Sequence, residues 1–290
     1  MTVMEKEGCI LTEQKMAEFE RYLRAEGHQR ATVEKYLRNV RFFASWLGEG
    51  ERQGRLSREA VTQWKAHLQD AGYAPSTVNA RLAALNRFFG FAHREECRVR
   101  FLHIQRRPFR EDSRDLGRRE YERLLEAARR SGQERLGLIV ETIGSTGIRV
   151  SELAYITVEA ARRGRATADL KGKVRTVLLP GKLRRKLLSY AKRRGIREGR
   201  IFRTRSGREM SRRQIWREMK GLGQRAGVEK TKVFPHNLRH LFATVFYKTC
   251  RDIVKLADVL GHSSIETTRI YLMTTGRKHA RQIERLRLVM

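Results

Sequence analysis

The sequence predicts a mainly α-helical chain with two domains, a four-helix N-terminal domain and a larger, mostly helical domain that contains one small β-hairpin sheet. Apolar residues recur at spacings of three and four along most of the 290 residues, the pattern of helices that bury one face. Only residues 166–180 alternate like two short strands around a turn. The length suits two domains of ordinary size.

The charge makes a polyanion the expected partner. Lys and Arg number 63 against 32 Asp and Glu, which gives a formal charge of +31. Self-repulsion at this charge opposes compaction, and duplex DNA offers a phosphate every ~1.7 Å. An anionic membrane surface is the weaker alternative, because the chain has no run of about 18 apolar residues. The start, "MTVMEKEGCILTEQ", does not follow the order of a secretory signal, so a cytoplasmic location without membrane contact is expected.

Four helices are expected in the first domain, at 12–26, 31–47, 57–70 and 76–94. The side chains of Thr12, Ser57 and Ser76 are expected to cap three of them. Gly27, Gly48 and Gly72 are expected to end the preceding helices. Cys9, Cys97 and Cys250 match neither a zinc spacing nor a disulfide framework, so reduced thiols are expected.

The stretch 98–117 has no clean periodicity and contains Pro108, which is typical of a linker. The expected boundaries are 1–105 for the first domain, 106–117 for the linker and 118–290 for the second domain. Helices are expected at 118–131 and 134–144. Ser145–Gly147 is interpreted as a turn into a helix N-terminus, where backbone donors favour anions. The hairpin turns at residues 171–173, and helices return at 181–195 and 211–227.

Four segments of the second domain contain polar residues that packing does not explain. In chain order these are Arg149 and Glu152; Lys171; His236, Arg239 and His240; and His262 with Tyr271. Each group has a plain structural alternative. Arg149 and Glu152 suit an exposed ion pair worth only ~0.2–0.5 kcal/mol, and lysines at a hairpin tip are common.

Pro235 is expected to open a helix on which His236, Arg239 and His240 share one face. A solvated basic face is one alternative. Zinc bound by the two histidines is another, although a guanidinium on that face would repel a cation. Ser263 and Glu266 form a capping-box pattern, so a helix is expected from about residue 264. Tyr271 then lies two turns in, where a packed aromatic is the alternative to a reactive one.

Taken together, these side chains suit the chemistry of a phosphodiester. Two arginines, a lysine, two or three histidines and a tyrosine can provide clamps for a pentavalent phosphorane, a proton donor and a nucleophile. The chain lacks the serine or cysteine triad of acyl transfer and the clustered acids of a magnesium nuclease.

The segments "TGIRVSEL", "HNLRH" and "LGHSSIETTRIY", in this order and spacing, resemble the tyrosine recombinase (phage integrase, Xer-like) family, and the resemblance extends over essentially the whole chain. It implies a helical core-binding domain at the N-terminus that forms half of a clamp around DNA. It implies Arg149 and Arg239 as phosphate-binding residues, and His236 and His262 as hydrogen-bonding residues. Tyr271 matches the nucleophile.

The same resemblance implies supporting roles for Glu152 and His240. The hairpin lysine is Lys171 or Lys173, because the family pattern "GKGxKxR" is shortened here to "LKGKVR"; Lys171 is the first choice. The implied reaction cuts and rejoins DNA through a 3′-phosphotyrosyl link, without metal, ATP or cofactor. The implied assembly is a homotetramer on two duplexes with inverted half-sites, with an accessory DNA-bending protein as an optional partner. Residues 276–290 would dock on a neighbour or on their own subunit.

Two other functions fit part of the pattern. A type IB topoisomerase shares the tyrosine chemistry but rejoins the same strand. A basic DNA-binding regulator would use the same side chains only to contact phosphates. Replacing Tyr271 by Phe distinguishes the regulator, which should be indifferent, from an enzyme, which should lose its covalent complex.

Overall fold

The computed structural model describes residues 11–48, 56–104, 115–170, 173–204, 206–272 and 284. The chain divides into two compact units, Met1–Arg106 and Arg107–Met290. The predicted boundaries 1–105, 106–117 and 118–290 stay a prediction, since residues 106–114 of the linker lie outside the described residues. The predicted fold class, mainly α with one small hairpin, is confirmed.

The first unit is built from helices that pack their apolar faces together. The described elements are α1 (Glu13–Ala25), α2 (Arg30–Gly48), α3 (Arg58–Asp70) and α4 (Pro75–Phe91), followed by a 3-10 helix, Glu95–Cys97. Thr12 and Ser57 cap their helices as predicted, each accepting a backbone amide at 3.2 Å. The cap at Ser76 is wrong, because α4 already begins at Pro75, whose missing N–H costs little at a helix start.

Aromatic rings fill the core of this first unit. The rings of Phe19 and Phe88 meet edge to face with centroids 5.2 Å apart, and those of Phe43 and Trp64 do so at 5.1 Å. All four side chains are fully buried, and burial of each stabilises the unit by about 1.5–3 kcal/mol. The highly charged chain therefore still has an apolar core of ordinary composition.

The second unit surrounds a separate core with eight α-helices, a 3-10 helix and a hairpin among its described residues. The helices are α5 (Arg118–Arg130), α6 (Glu134–Thr146), α7 (Val158–Arg163), α8 (Gly181–Arg193), α9 (Arg212–Arg225), α10 (Pro235–Cys250), α11 (Ile253–Leu260) and α12 (Ile265–Leu272). The 3-10 helix is Val150–Tyr155 and the strands are β1 (Arg165–Leu170) and β2 (Lys173–Leu178). The sequence patterns did not indicate α7 or α11.

The hairpin pairs β1 with β2 antiparallel, from Arg165 opposite Leu178 to Leu170 opposite Lys173. The turn is therefore shorter than predicted, and Lys173 belongs to a strand rather than to the tip. Along β2 the side chains alternate: Val174 and Leu178 are exposed, whereas Arg175 and Val177 are buried. One face of the hairpin thus covers the core of the second unit.

The helix N-terminus predicted at Ser145–Gly147 is wrong. These residues end α6, and the Thr146 hydroxyl donates to the carbonyl of Thr142 at 2.6 Å. Gly147 follows with φ +63°, the left-handed conformation that favours glycine at a helix end. No anion site formed by helix amides is therefore placed there.

Among the described residues, no helix is long and apolar enough to cross a membrane. Cys97 is a buried free thiol and Cys250 an exposed one, as predicted. Cys9 lies outside the described residues.

Candidate active site

Seven of the eight predicted site residues, all except Lys171, lie in four segments of the second unit that the structure describes. Arg149 follows α6 and Glu152 lies in the 3-10 helix Val150–Tyr155. His236, Arg239 and His240 project from the first two turns of α10, which opens at Pro235 as predicted. His262 follows α11, and Tyr271 lies near the end of α12. α12 begins after Ser264, whose hydroxyl accepts the Glu266 amide at 3.2 Å, so Ser264 rather than Ser263 precedes the helix.

The Tyr271 ring is packed among the three histidines. Its centroid lies 5.5 Å from that of His236, 5.4 Å from that of His240 and 5.6 Å from that of His262, which is nearly parallel to it at 10°. Only 6% of the residue is exposed, and it belongs to a small cluster with Leu256 and Leu260. Tyr271 is therefore both a packed aromatic and a neighbour of the polar groups.

Arg239 is held rigidly by acceptors on two sides. It donates to the carbonyl of Gly147, to the carbonyl of Leu260 at 2.7 Å and to Nε2 of His262 at 2.8 Å. Burial lowers its pKa, the charge of Arg149 lowers it further, and hydrogen bonding to Tyr271 acts in the opposite direction. A guanidinium stays charged under these conditions, so the site has a fixed positive charge beside the tyrosine.

The hydrogen bonds of His262 define its tautomer. A guanidinium has only donors, so His262 Nε2 must accept from Arg239. The ring proton then lies on Nδ1, which donates to the Thr268 hydroxyl at 2.8 Å. Burial lowers the pKa of His262 to about 4, and the neighbouring charges of Arg239 and Arg149 act in the same direction. The ring is therefore neutral near pH 7.

Glu152 orients Arg149. Its carboxylate is 2% exposed and accepts the Arg149 side chain on one oxygen and the Arg149 backbone amide on the other, both at 2.8 Å. The Arg149 guanidinium also donates to the carbonyl of Gly261 at 3.3 Å. Its side chain is 40% exposed, so Arg149 remains accessible to a ligand. The predicted alternative, an exposed surface pair, is wrong because the carboxylate is buried.

The structure adds Arg175, which the sequence analysis did not select. Its guanidinium lies 2.9 Å from the second oxygen of Glu152 and also donates to the carbonyl of Val259. Burial lowers the pKa of Arg175 to about 10, and the carboxylate of Glu152 opposes that shift. Two features could have identified it. Arg175 is the last residue of the pattern "GKGxKxR", and strand alternation places it on the same face as the buried Val177.

The other predicted residues are placed less completely. His240 is buried, with Nδ1 3.9 Å from the Asp115 carboxylate, whereas His236 is exposed. Lys171 lies outside the described residues, as does the side chain of Lys173, so the choice between them stays a prediction. Of the segment 276–290, only Glu284 is described. No group of three metal-ligating side chains is found in the described part of the chain.

Comparison with known proteins identifies the class. The model of the phage integrase family matches residues 114–277, and that of the phage integrase N-terminal SAM-like domain matches 16–96. Tyrosine recombinase XerA of Thermococcus kodakarensis is 31% identical over 279 residues, covering 94% of this chain and 95% of the relative. XerA of Pyrococcus furiosus is 30% identical over 283 residues, covering 94% of each chain.

The fold is also found in a crystal structure described as a lambda integrase tetramer bound to a Holliday junction, with a TM-score of 0.70, 17% identity and coverage of 88% of this chain and 75% of that one. The family models and the relatives define an enzyme of the DNA strand-transfer class. The chain belongs to the phage integrase family and is a tyrosine-type site-specific recombinase.

Proposed function

We propose that the enzyme cuts and rejoins DNA through a 3′-phosphotyrosyl intermediate formed by Tyr271. The observation that carries the proposal is the packing of Tyr271 against His236, His240 and His262, beside the buried guanidinium of Arg239. A phenol held beside fixed positive charge is suited to attack an anionic phosphorus centre. Contact with three histidine rings restricts the phenol ring and supports a defined direction of attack.

Arg149 and Arg239 are proposed to bind the two non-bridging oxygens of the scissile phosphate. Guanidinium groups form charge-assisted, bidentate bonds to phosphate, which lysine does less well. The exposure of Arg149 suits the first contact with the ligand. The three hydrogen bonds of Arg239 to Gly147, Leu260 and His262 fix its plane in advance, so little reorganisation is needed when charge develops.

In the proposed step, the Tyr271 phenol gives up its proton to water, its oxygen forms a bond to phosphorus, and the bond from phosphorus to the 5′-oxygen breaks. Lys171, or Lys173, protonates the departing 5′-oxygen, which is otherwise a poor leaving group. His236 and His262 hydrogen-bond at the site, Glu152 supports Arg149, and His240 supports the ring of Tyr271. The free 5′-hydroxyl of the partner strand then attacks the phosphotyrosine. A bond from phosphorus to this 5′-oxygen forms, the bond to the Tyr271 oxygen breaks, and the phenol takes up the proton that the hydroxyl gives up. The energy of the first broken bond is kept in the phosphotyrosyl ester, so no ATP is needed.

The proposed substrate is double-stranded DNA with inverted half-sites, bound by a homotetramer on two duplexes. The net charge of +31 supports a DNA partner. The fold shared with the lambda integrase tetramer on a Holliday junction supports the assembly. An accessory DNA-bending protein remains an optional partner. The enzyme is proposed to act in the cytoplasm, without a metal or a cofactor.

The deciding experiment uses nicked candidate-site duplexes labelled at either end. Wild-type protein should form an adduct that survives denaturation and disappears on protease treatment, and the adduct should map to Tyr271. The variant Y271F should bind the same DNA and form no adduct. Tight binding without any wild-type adduct would contradict the covalent mechanism and favour a regulator.

A type IB topoisomerase would give the same adduct, so a second assay separates the two. Two duplexes with different labels are incubated together. A recombinase joins the label of one duplex to the other, whereas a topoisomerase restores only the parental strands. Exclusive parental religation would favour relaxation over strand exchange.

A further inference from the structure

Arg175 connects three segments of the site without lying at its surface. It is 9% exposed, whereas the side chain of Arg149 is 40% exposed. Its guanidinium pairs with Glu152 at 2.9 Å and donates to Val259 in the last turn of α11. Its stem runs past Gly261, where an added Cβ would lie only 2.4 Å from Cδ of Arg175. A single side chain from β2 therefore contacts the elements that hold Arg149 and His262.

The carboxylate of Glu152 is fixed from two directions. One oxygen accepts the Arg149 guanidinium, and the other accepts the Arg149 amide and the Arg175 guanidinium. A buried carboxylate that loses one cationic partner is strongly destabilised and tends to reorient. Without Arg175, only Arg149 would hold the carboxylate of Glu152. The carboxylate could then shift together with Arg149, and the position of the Arg149 guanidinium would be less well defined.

We propose that Arg175 is a positioning residue of the strand-transfer site, which acts through Glu152 on Arg149 and through the end of α11 on His262. It does not contact the phosphate. This inference rests on the proposed function, in which Arg149 binds the scissile phosphate. Because Arg175 pairs with Ala168, in the third strand pair from the turn, it also fixes the middle of the hairpin to the site.

The first test compares R175M and R175K with wild type in single-turnover adduct formation on a nicked duplex. R175M keeps an apolar stem but no charge, and its adduct should form about 10- to 100-fold more slowly, the cost of about 1 Å of misplacement. Its affinity for DNA should stay within about 2-fold of wild type, because a buried side chain releases no counterions. R175K keeps the charge and should recover part of the rate.

Arg135 provides a matched control in the same unit. It is partly buried, pairs with Glu218 at 3.1 Å and donates to the carbonyl of Arg203 at 2.9 Å. Both of these partners, Glu218 and Arg203, lie outside the candidate site. R135M should therefore lower the thermal stability as R175M does, while the rate of adduct formation by folded protein stays near that of wild type. Equal slowing in both variants would overturn the positioning role.

A methylphosphonate at the scissile position gives a readout that lost stability alone would not change. Replacing one non-bridging oxygen by a methyl group removes the charge that Arg149 is proposed to bind. If Arg175 acts through Arg149, R175M should form the adduct at most about 3-fold more slowly than wild type on this substrate. The reason is that the interaction between Arg149 and the charged oxygen is then absent in both proteins. A deficit of the same size on both substrates would refute the inference.

The double variant R175M/E152Q tests the route through Glu152. If Arg175 acts through this carboxylate, the double variant should be little slower than E152Q alone, since coupled residues are not additive. Fully multiplied deficits would contradict that route. If R175M fails to fold, R175K, E152Q and their combination carry the same comparison.

Failure of the proposed function has a different signature. In that case wild-type protein forms no adduct at Tyr271, or R149A forms it as fast as wild type. If wild type reacts, R149A is slow and R175M is as fast as wild type, only the role of Arg175 is refuted.

Discussion

Gly147 follows the last residue of α6 and lies close to side chains of α10 and α11. Its φ is +63°, and an added Cβ would lie 2.4 Å from Cδ1 of Phe242 and 2.9 Å from Cδ2 of Leu260. Its carbonyl accepts Arg239. The substitution G147A therefore introduces backbone strain and a steric clash at one position, next to a proposed phosphate ligand.

The two costs can be separated. A left-handed backbone costs a residue with a side chain about 1–2 kcal/mol, and overpacking of a filled site costs about 1–3 kcal/mol. G147A should therefore lower the free energy of unfolding by about 2–5 kcal/mol. Gly132 is a matched control, because its φ is +65° and nothing lies within 4 Å of an added Cβ. G132A should show only the backbone cost.

The assay is urea unfolding of the full chain, monitored by far-UV circular dichroism. The variant F88A, in the first unit, assigns the transitions: the one that it leaves unchanged belongs to the second unit. G147A should lose about 1–3 kcal/mol more than G132A. Its adduct formation should also slow more, because the carbonyl that accepts Arg239 moves. Equal losses of stability in the two glycine variants would refute the close approach at Gly147.

Four further outcomes are expected. The pKa of His262 is about 4 in the folded chain against an ordinary 6.5, so the unfolded chain takes up a proton first as the pH falls. The free energy of unfolding should therefore drop between about pH 6.5 and pH 4, by about 1–2 kcal/mol for a half-buried ring. In urea titrations, H262Q should lose less stability than wild type over this range. Asp252 accepts two amides of α11 at 2.9 and 3.0 Å, so D252A should cost about 0.5–2 kcal/mol, measured by thermal unfolding; no loss would contradict the cap. Phe88 is fully buried, so F88A should lower the free energy of unfolding by about 3–5 kcal/mol in urea titrations, and a loss below about 1 kcal/mol would contradict a filled core at this position. R149A should reduce the slope of log affinity for DNA against log salt by about 0.9; an unchanged slope would contradict a phosphate contact.

The helices were predictable where one local rule determines them. The apolar stripe of α2 and the capping residues Thr12 and Ser57 depend only on nearby sequence, and the structure confirms them. The prediction of a helix N-terminus at Ser145–Gly147 was wrong because small polar residues are common at helix starts as well as at helix ends. The close contacts of Gly147 with Phe242 and Leu260 select the end, and these partners lie far along the chain.

The sequence predicted seven side chains that the structure brings together, but not the contacts between them. Sequence spacing placed His236, Arg239 and His240 on one face, but it gave no distance to Tyr271. Arg175 was missed because a single arginine in a basic chain carries little information by itself. Its role depends on a contact with the buried carboxylate of Glu152, which lies 23 residues earlier in the chain. Such a contact is set by tertiary packing and not by local sequence.

The two interpretations of Tyr271, packed or reactive, are not opposed. A tyrosine free in solvent would lose rotational freedom on reaching the attacking geometry, which would raise the barrier. Here the ring is already confined by His236, His240 and His262, and the nearby guanidinium of Arg239 is fixed by its own acceptors. Burial thus supplies the order that the proposed reaction needs, and the bound phosphate has only to meet groups that are already in place.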